Sequence, residues 1–267
     1  MRSSRHFAEL TQPEIAAQLK RNPLVILPAG SVEQHGPHLP TGTDTLAANA
    51  IGHAVAERMD GLVLPGPPLG VTPMHMPFEG TLTLTPDTYM RVVTETCVST
   101  AQHGAKYLLI LNWHEGNIPS LAIAAEALHR EHGMTVLTVQ ACYVAEELYG
   151  ASCNGLTHGG EIEALAVLAQ RPDLVHLDRI DYSSDHQHGH KMDRLRRTRS
   201  YQPVLTDIRS IAPTGWFGSP QHATAEKGRR MLADITDAIS KEATEIFAQL
   251  DAVQGGTAEV KRLRQVK

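Results

Sequence analysis

Short apolar runs that alternate with helical patterns limit the possible folds of this chain more than any other feature of its sequence. Residues 24–27 form a β-type run that leads through a polar loop into a helical pattern starting near Thr43. Residues 107–111 repeat this order and precede another polar loop and an alanine-rich helix at 120–131. Strands that alternate with helices predict an α/β fold with a mainly parallel sheet covered on both faces.

The remaining elements continue this alternation. The pattern predicts strands at 62–64 and 135–139, a helix that starts at Thr85-Pro86 and ends at His103-Gly104, a helix at 161–168, and one long helix or a pair at 224–250. The stretch 65–76 is rich in proline and glycine, so we expect a long ordered loop that forms a pocket wall. We expect one domain over residues 1–255, followed by a polar tail at 256–267.

Composition narrows the class of protein. A chain of 267 residues can bury a core without disulfides, and its three cysteines lack the C-x-x-C spacing of a thiolate zinc site. The net charge of −5 is spread along the chain, which argues against a nucleic-acid partner and favours a small-molecule substrate. No secretory signal or membrane-spanning stretch is evident, so we expect a cytoplasmic protein in a reducing compartment.

Three residues of ligand type lie in the loop between the first strand and its helix. Glu33 and His35 are two positions apart, so in extended backbone their side chains project to the same side. Asp44 follows at the start of the helix, after glycines and prolines that can curl the loop back. Each residue alone reads as a helix cap or a solvated loop residue. Together they favour a metal site.

A second polar loop, after the strand at 107–111, contains His114 and Asn117. In parallel sheets, ligand sites form in loops at the carboxyl ends of the strands. His114 and Glu33 are therefore expected at the same edge. We interpret His114 as a ligand and Asn117 as the cap of the following helix.

At these residues the sequence resembles the creatininase (creatinine amidohydrolase) family. Five segments carry the resemblance, in the same order along the chain: GSVEQHGPHLP at 30–40 followed by Thr43-Asp44; residues 75–81; His103-Gly104 with NWHEGN at 112–117; HGGEIE at 158–163; and ATAEKG at 223–228. The resemblance implies a three-layer α/β/α fold and a site with two divalent ions. In that site Glu33 and His114 hold one ion, His35 holds the other, and Asp44 bridges them.

The resemblance does not identify every protein ligand of the second ion. Family members such as creatininase have a glutamate two residues after the histidine of the second motif, whereas this chain has Gly116 there. Either the second ion lacks that protein ligand, or Glu163 approaches the ions or orients His158; we rank Glu163 above Glu115. The resemblance also implies that His158 protonates the leaving amine. The two catalytic candidates are therefore His158 and Glu163. Zn²⁺, Mn²⁺ and Fe²⁺ all suit such oxygen and nitrogen ligands.

The function expected from the resemblance is metal-dependent hydrolysis of a non-peptide C–N bond, in a cyclic amide, a formamide or a related compound, by a dinuclear-metal-activated hydroxide. Two alternatives stay open: a metallopeptidase of peptide maturation, and a non-catalytic protein that binds metal or a small molecule. The resemblance further implies a homo-oligomer, for example a hexamer. His186, His188 and His190 are interpreted as a mobile rim loop, and Met74 and Met76 as pocket packing.

Overall fold

The computed structural model describes residues 4–183, 191 and 204–255. The tract with His186, His188 and His190 and the tail at 256–267 lie outside the described residues.

The described strands form one four-stranded, fully parallel sheet, as the alternating pattern predicts. Its members are β1 (Leu24–Ala29), β2 (Leu62–Val63), β3 (Tyr107–Asn112) and β4 (Thr135–Gln140). Their order across the sheet is β2-β1-β3-β4. In β1 and β3, Ala29 is opposite Asn112. The loops that leave these two strands therefore start side by side at the carboxyl edge.

Strand β1 continues two residues beyond the predicted end, through Pro28. The carbonyl of Ile26 accepts a hydrogen bond from the backbone N–H of Leu64, 2.8 Å away. Alternate residues of a strand direct their backbone groups to the same neighbour, so Pro28 faces the β2 side as Ile26 does. Because β2 ends at Val63, the missing N–H of Pro28 costs no ladder bond there.

Seven α-helices cover the sheet in the described part of the chain. They are α1 (Gln12–Arg21), α2 (Thr43–Met59), α3 (Pro86–Gln102), α4 (Ile118–His132), α5 (Ala141–Cys153), α6 (Glu161–Leu168) and α7 (Ala225–Gly255). The predicted C-terminal helix or pair of helices is one long helix. At the start of α3, the hydroxyl of Thr85 accepts a hydrogen bond from the N–H of Thr88, as expected for a cap. Helices α1 and α5 were missed, and α5 follows β4 with no loop residue to mark its start.

The helices form two layers. Helices α2, α5, α6 and α7 pack against the face that carries Ile26 and Leu109, whereas α1, α3 and α4 pack against the face that carries Val25 and Leu108. Adjacent strand residues thus belong to opposite cores, which is why the strands are apolar throughout. The predicted three-layer α/β/α architecture is confirmed.

None of the three cysteines, all of which are buried, forms a disulfide. Burial raises the pKa of the Cys97 thiol to about 12, so this thiol is unreactive at neutral pH. Within the described ranges, every helix is too short or too polar to cross a membrane.

Candidate metal centre

A cavity of about 310 Å³ lies at the carboxyl edge of the sheet, and the structure brings the predicted site residues to it. Glu33 and His35 follow β1, Asp44 lies in the first turn of α2, His114 follows β3, and His158 and Glu163 come from the loop before α6 and its first turn. All but His35 line the cavity. The side chain of His35 is fully buried behind the carboxylates of Asp44 and Glu163.

One group of possible ligand atoms consists of Glu33, Asp44 and His114. The Nδ1 atom of His114 is 3.3 Å from Oε2 of Glu33 and 3.2 Å from Oδ2 of Asp44. Its Nε2 atom is 3.1 Å from the carbonyl oxygen of Val71, so Nε2 carries the proton when the ring is neutral. This hydrogen bond directs the lone pair of Nδ1 toward the two carboxylates.

A second group shares Asp44 with the first. The Nε2 atom of His35 is 3.4 Å from Oδ1 of Asp44 and 3.5 Å from Oε2 of Glu163. The Nδ1 atom of His35 is 3.0 Å from the carbonyl oxygen of Glu33, which makes Nδ1 the donor of the neutral ring. Asp44 therefore presents one carboxylate oxygen to each group, which is the geometry that a bridging ligand requires.

The position of Asp44 follows from close packing rather than from helix capping. Gly42 is at the N-cap position of α2, and no side chain caps this helix. A Cβ atom on Gly30 would lie 2.4 Å from the backbone of Thr45, so only glycine lets the end of β1 approach the first turn of α2 this closely. The interpretation of Asp44 as a plain cap is therefore wrong.

The expected cap role of Asn117 is wrong as well. Asn117 is at the N-cap position of α4, but its side chain makes no cap hydrogen bond. Instead its Oδ1 accepts from the N–H of Val71 at 2.9 Å, and its Nδ2 donates to the carbonyl of Gly30 at 2.9 Å. This amide joins the three loops that surround the centre, a long-range role that local sequence does not indicate.

In the part of the chain that the structure describes, the carboxylates of the cluster are paired with imidazoles alone. Among the described residues, every ion pair made by Glu33, Asp44 and Glu163 is with a histidine. Burial lowers the pKa of His35, but the carboxylates of Glu163 and Asp44 raise it more, to about 10. In His114 burial is likewise outweighed by Glu33 and Asp44, which raise its pKa to about 9.

The pKa values of Glu163 and Asp44 are shifted in opposite directions. Burial raises the pKa of Glu163 to about 8, with the nearby charge of Asp44 acting in the same direction and His35 against it. Burial also disfavours ionised Asp44, yet the pKa of this carboxyl is held well below its usual range by His35 and His114. Nε2 of His35 and Oδ2 of Asp44 are buried without a hydrogen-bond partner. In the neutral imidazole and the ionised carboxylate both atoms offer lone pairs, and such unsatisfied buried lone pairs fit a site for divalent cations.

Glu163 and Glu115 occupy different parts of the cavity. Among the described residues, the groups close enough to bind one ion include Glu163 and do not include Glu115. Glu115 instead accepts a hydrogen bond from the Tyr143 hydroxyl at 2.8 Å. A Cβ atom on Gly116 would be 2.2 Å from the carbonyl oxygen of Val71, so the backbone has no room for a glutamate at that position.

His158 is oriented by the backbone of the loop that follows β1. Its Nε2 atom is 2.7 Å from the carbonyl oxygen of Gln34 and donates to it, so the lone pair of neutral His158 is on Nδ1. This Nδ1 atom is 3.7 Å from Oε1 of Glu33. Burial and the neighbouring rings of His35 and His75 hold the pKa of His158 well below its usual range.

Sequence reasoning missed Gln34 and His75. The buried Gln34 amide donates to the carbonyl of Gly215 at 2.7 Å and to Nδ1 of His75 at 3.1 Å. His75, from the turn Pro73–His75, directs Nε2 to within 3.6 Å of Oε1 of Glu33. The position of Gln34 between two ligand-type residues was the available signal for its role.

Two minor expectations can be compared with the cavity. The loop at 65–76 does form one wall, through Val71–His75 and including Met74. Met76 was also expected to pack in the pocket, but it follows the turn and its side chain is 51% exposed. His38 is structural, since it donates from Nε2 to the carbonyl of Gly159 at 2.7 Å and supports the loop of His158.

This buried cluster at the carboxyl edge of a three-layer α/β/α fold is a set of oxygen and nitrogen ligands that suits divalent cations, which metal-dependent hydrolases use. The family model described as "Creatininase: Creatinine amidohydrolase" matches residues 8–243. The chain is a member of the creatininase family, as the five sequence segments indicated.

Two relatives differ in their described activities. The mycofactocin precursor peptide peptidase of Mycobacterium ulcerans (strain Agy99) is 33% identical over 227 residues, covering 80% of this chain and 82% of the relative. The creatinine amidohydrolase of Pseudomonas putida is 30% identical over 267 residues, covering 91% of this chain and 98% of the relative. A solved mutant creatininase of Zn-Zn type superposes with a TM-score of 0.74 at 27% identity, covering 92% of this chain and 99% of that one.

Proposed function

We propose that this protein hydrolyses the C–N bond of a small non-peptide amide, such as a cyclic amide or a formamide, with two divalent metal ions. The observation that carries the proposal is the cluster of Glu33, Asp44 and Glu163, three buried carboxylates whose described ion pairs are all with histidine. Buried charges are costly unless they are paired or coordinate metals. Such a cluster supports cation binding over a purely structural role.

In the proposed centre, Glu33, Asp44 and His114 would hold one ion, and His35, Asp44 and Glu163 would hold the other. Both sets fall within the groups of atoms that are close enough to share an ion. Their oxygen and nitrogen atoms suit Zn²⁺, Mn²⁺ or Fe²⁺. The relative of Zn-Zn type supports zinc as the first ion to test.

Bound divalent ions supply Lewis acidity toward an amide oxygen and a water that is nucleophilic at neutral pH. The chain must still protonate the leaving amine, which otherwise departs poorly. His158 is suited to relay this proton, because its lowered pKa keeps Nδ1 free to take a proton and ready to give it up, while its Nε2–H is held by the Gln34 carbonyl. Glu163 has a second role, since it accepts the N–H of Gly159 at 2.6 Å and so positions the neighbouring His158.

Replacing His158 by glutamine is expected to lower kcat by roughly 10²–10³-fold and to leave KM nearly unchanged, because general acid catalysis contributes about that factor. Glutamine retains an N–H that can reach the Gln34 carbonyl. The measurements are steady-state kinetics and metal analysis of the purified variant. Loss of an ion from His158→Gln would contradict the proton-donor role and would make His158 a ligand, since it is also near Glu33 and His35.

The function is tested by incubating zinc- or manganese-loaded protein with cyclic amides, formamides and short peptides. We expect turnover of at least one small amide, its loss on chelation, and its return when the ion is restored. Cleavage of peptides alone would favour the second candidate, a metallopeptidase, which the relationship to the mycofactocin precursor peptidase supports. Metal binding without any turnover would instead indicate a non-catalytic binding protein. Homo-oligomeric assembly is a separate proposal, tested by light scattering.

A further inference from the structure

The hydroxyl of Thr72 contacts a carboxylate of the proposed metal centre. Thr72 lies in the loop at 65–76, is buried and lines the cavity. Its Oγ1 atom donates a hydrogen bond to Oε2 of Glu33. The hydroxyl of the buried Ser31 donates to the same oxygen from 3.2 Å. An ionised carboxylate offers about four acceptor positions, so the two hydroxyl groups leave room on Glu33 for a metal ion.

The residue before Thr72 orients the other ligand of the same ion. The carbonyl oxygen of Val71 accepts the Nε2–H of His114 at 3.1 Å. Glu33 and His114 are the two ligands proposed for the first ion alone, since Asp44 would be shared by both ions. Two adjacent residues of the cavity wall therefore hold both of these ligands.

The segment Val71-Thr72 is itself fixed by its own N–H groups. The N–H of Val71 donates to Oδ1 of Asn117 at 2.9 Å, and the N–H of Thr72 donates to the hydroxyl of Thr83 at 2.8 Å. Threonine is branched at Cβ, which restricts its first side-chain torsion. A fixed backbone and a stiff side chain together keep the Thr72 hydroxyl directed at Glu33.

The ligands proposed for the second ion alone are held by other groups. Nδ1 of His35 is 3.0 Å from the carbonyl oxygen of Glu33, and Glu163 accepts the N–H of Gly159. Within the described ranges, Thr72 makes no hydrogen bond to either ligand. A change at Thr72 should therefore affect the two ions unequally.

We propose that Thr72 is a positioning residue that sets the affinity of the first metal ion through Glu33. Its hydroxyl holds the carboxylate in one orientation before the ion arrives, so less conformational freedom is lost on binding. This inference rests on the proposed function, because it is as a metal ligand that Glu33 needs a fixed orientation.

The inference is tested by titrating protein stripped of metal with zinc chloride, in competition with a chromophoric chelator. This experiment measures both binding constants without any substrate. Thr72→Val removes the hydroxyl and keeps a side chain of similar shape. We expect it to weaken one of the two constants by roughly 10–100-fold, as is typical when a group that orients a metal ligand is lost, and to leave the other nearly unchanged. Thr72→Ser keeps a hydroxyl and should retain most of the affinity.

Two further variants separate this role from a general structural one. Glu33→Gln should lose the first ion, so adding Thr72→Val to it should not weaken the ion that remains. Thr236→Val is the matched control, because this buried threonine of α7 donates to the carbonyl of Leu232 in its own helix, at 2.7 Å. Both of its zinc constants should equal those of the wild type.

Wild-type zinc constants in folded Thr72→Val, or an equal loss at both ions, overturn the inference alone. A raised KM for an amide with unchanged zinc affinity also overturns it, since the hydroxyl would then serve the substrate. If circular dichroism shows that Thr72→Val does not fold, Thr72→Ala provides the same comparison. If the wild type binds no zinc, the proposed metal centre fails and this inference fails with it.

Discussion

Asp44→Asn is expected to remove both metal ions and to abolish hydrolysis. Asp44 is the residue common to the two ligand groups, with Oδ2 near His114 and Oδ1 near His35. Asparagine has only one side-chain oxygen and no charge, so it cannot bridge two divalent ions. The expected outcome is a fall from two ions per chain to fewer than one by elemental analysis, and a loss of activity of roughly 10³-fold or more, because metal activation contributes several kcal/mol.

Single-site variants make this prediction specific. Glu33→Gln and Glu163→Gln should each lose about one ion, since each residue belongs to one proposed ligand set. Asp173→Asn is the matched control, because Asp173 is an exposed aspartate that pairs with Arg171 on the surface. Its metal content should equal that of the wild type. Two ions retained in Asp44→Asn would sink the bridging assignment, provided that circular dichroism confirms the fold.

The convergence of Glu33, His35, Asp44 and His114 could be predicted because each step rests on a local rule. Apolar runs followed by helical patterns predict parallel strands, and the loops of parallel strands leave at one edge. The observed pairing of Ala29 with Asn112 brings these two loops together. The spacing of Glu33 and His35 then places their side chains near the same cluster.

The choice between Glu163 and Glu115 could not be made from local rules. Glu115 directly follows His114, and Glu163 lies in the first turn of α6. Each is an acidic residue near the same edge of the sheet. What separates them is tertiary contact: Glu115 turns toward Tyr143, whereas Glu163 turns toward His35. His75 escaped notice for a similar reason, because an irregular loop rather than a periodic element brings it to Glu33.

Uptake of the two ions is expected to release protons and to become much tighter as the pH rises. In protein stripped of metal by a chelator, the pKa values of His35, His114 and Glu163 lie at about 10, 9 and 8, so all three groups are mainly protonated at pH 7. Metal ligands must be deprotonated, and binding therefore displaces up to about three protons. Affinity for the ions is therefore weakest at low pH and increases with pH until these groups lose their protons even without metal.

Each displaced proton changes the apparent binding constant by about tenfold per pH unit, so the overall constant for filling both sites should increase by up to about 10³-fold between pH 6 and 7. Titration of the stripped protein with zinc chloride, in buffers of different ionisation enthalpy, measures the number of protons released. Glu163→Gln should release fewer protons than the wild type, because glutamine has none to lose. Heat that is independent of the buffer at pH 7 would contradict the raised pKa values of these ligands. It would show that the imidazoles are already neutral before the ions arrive.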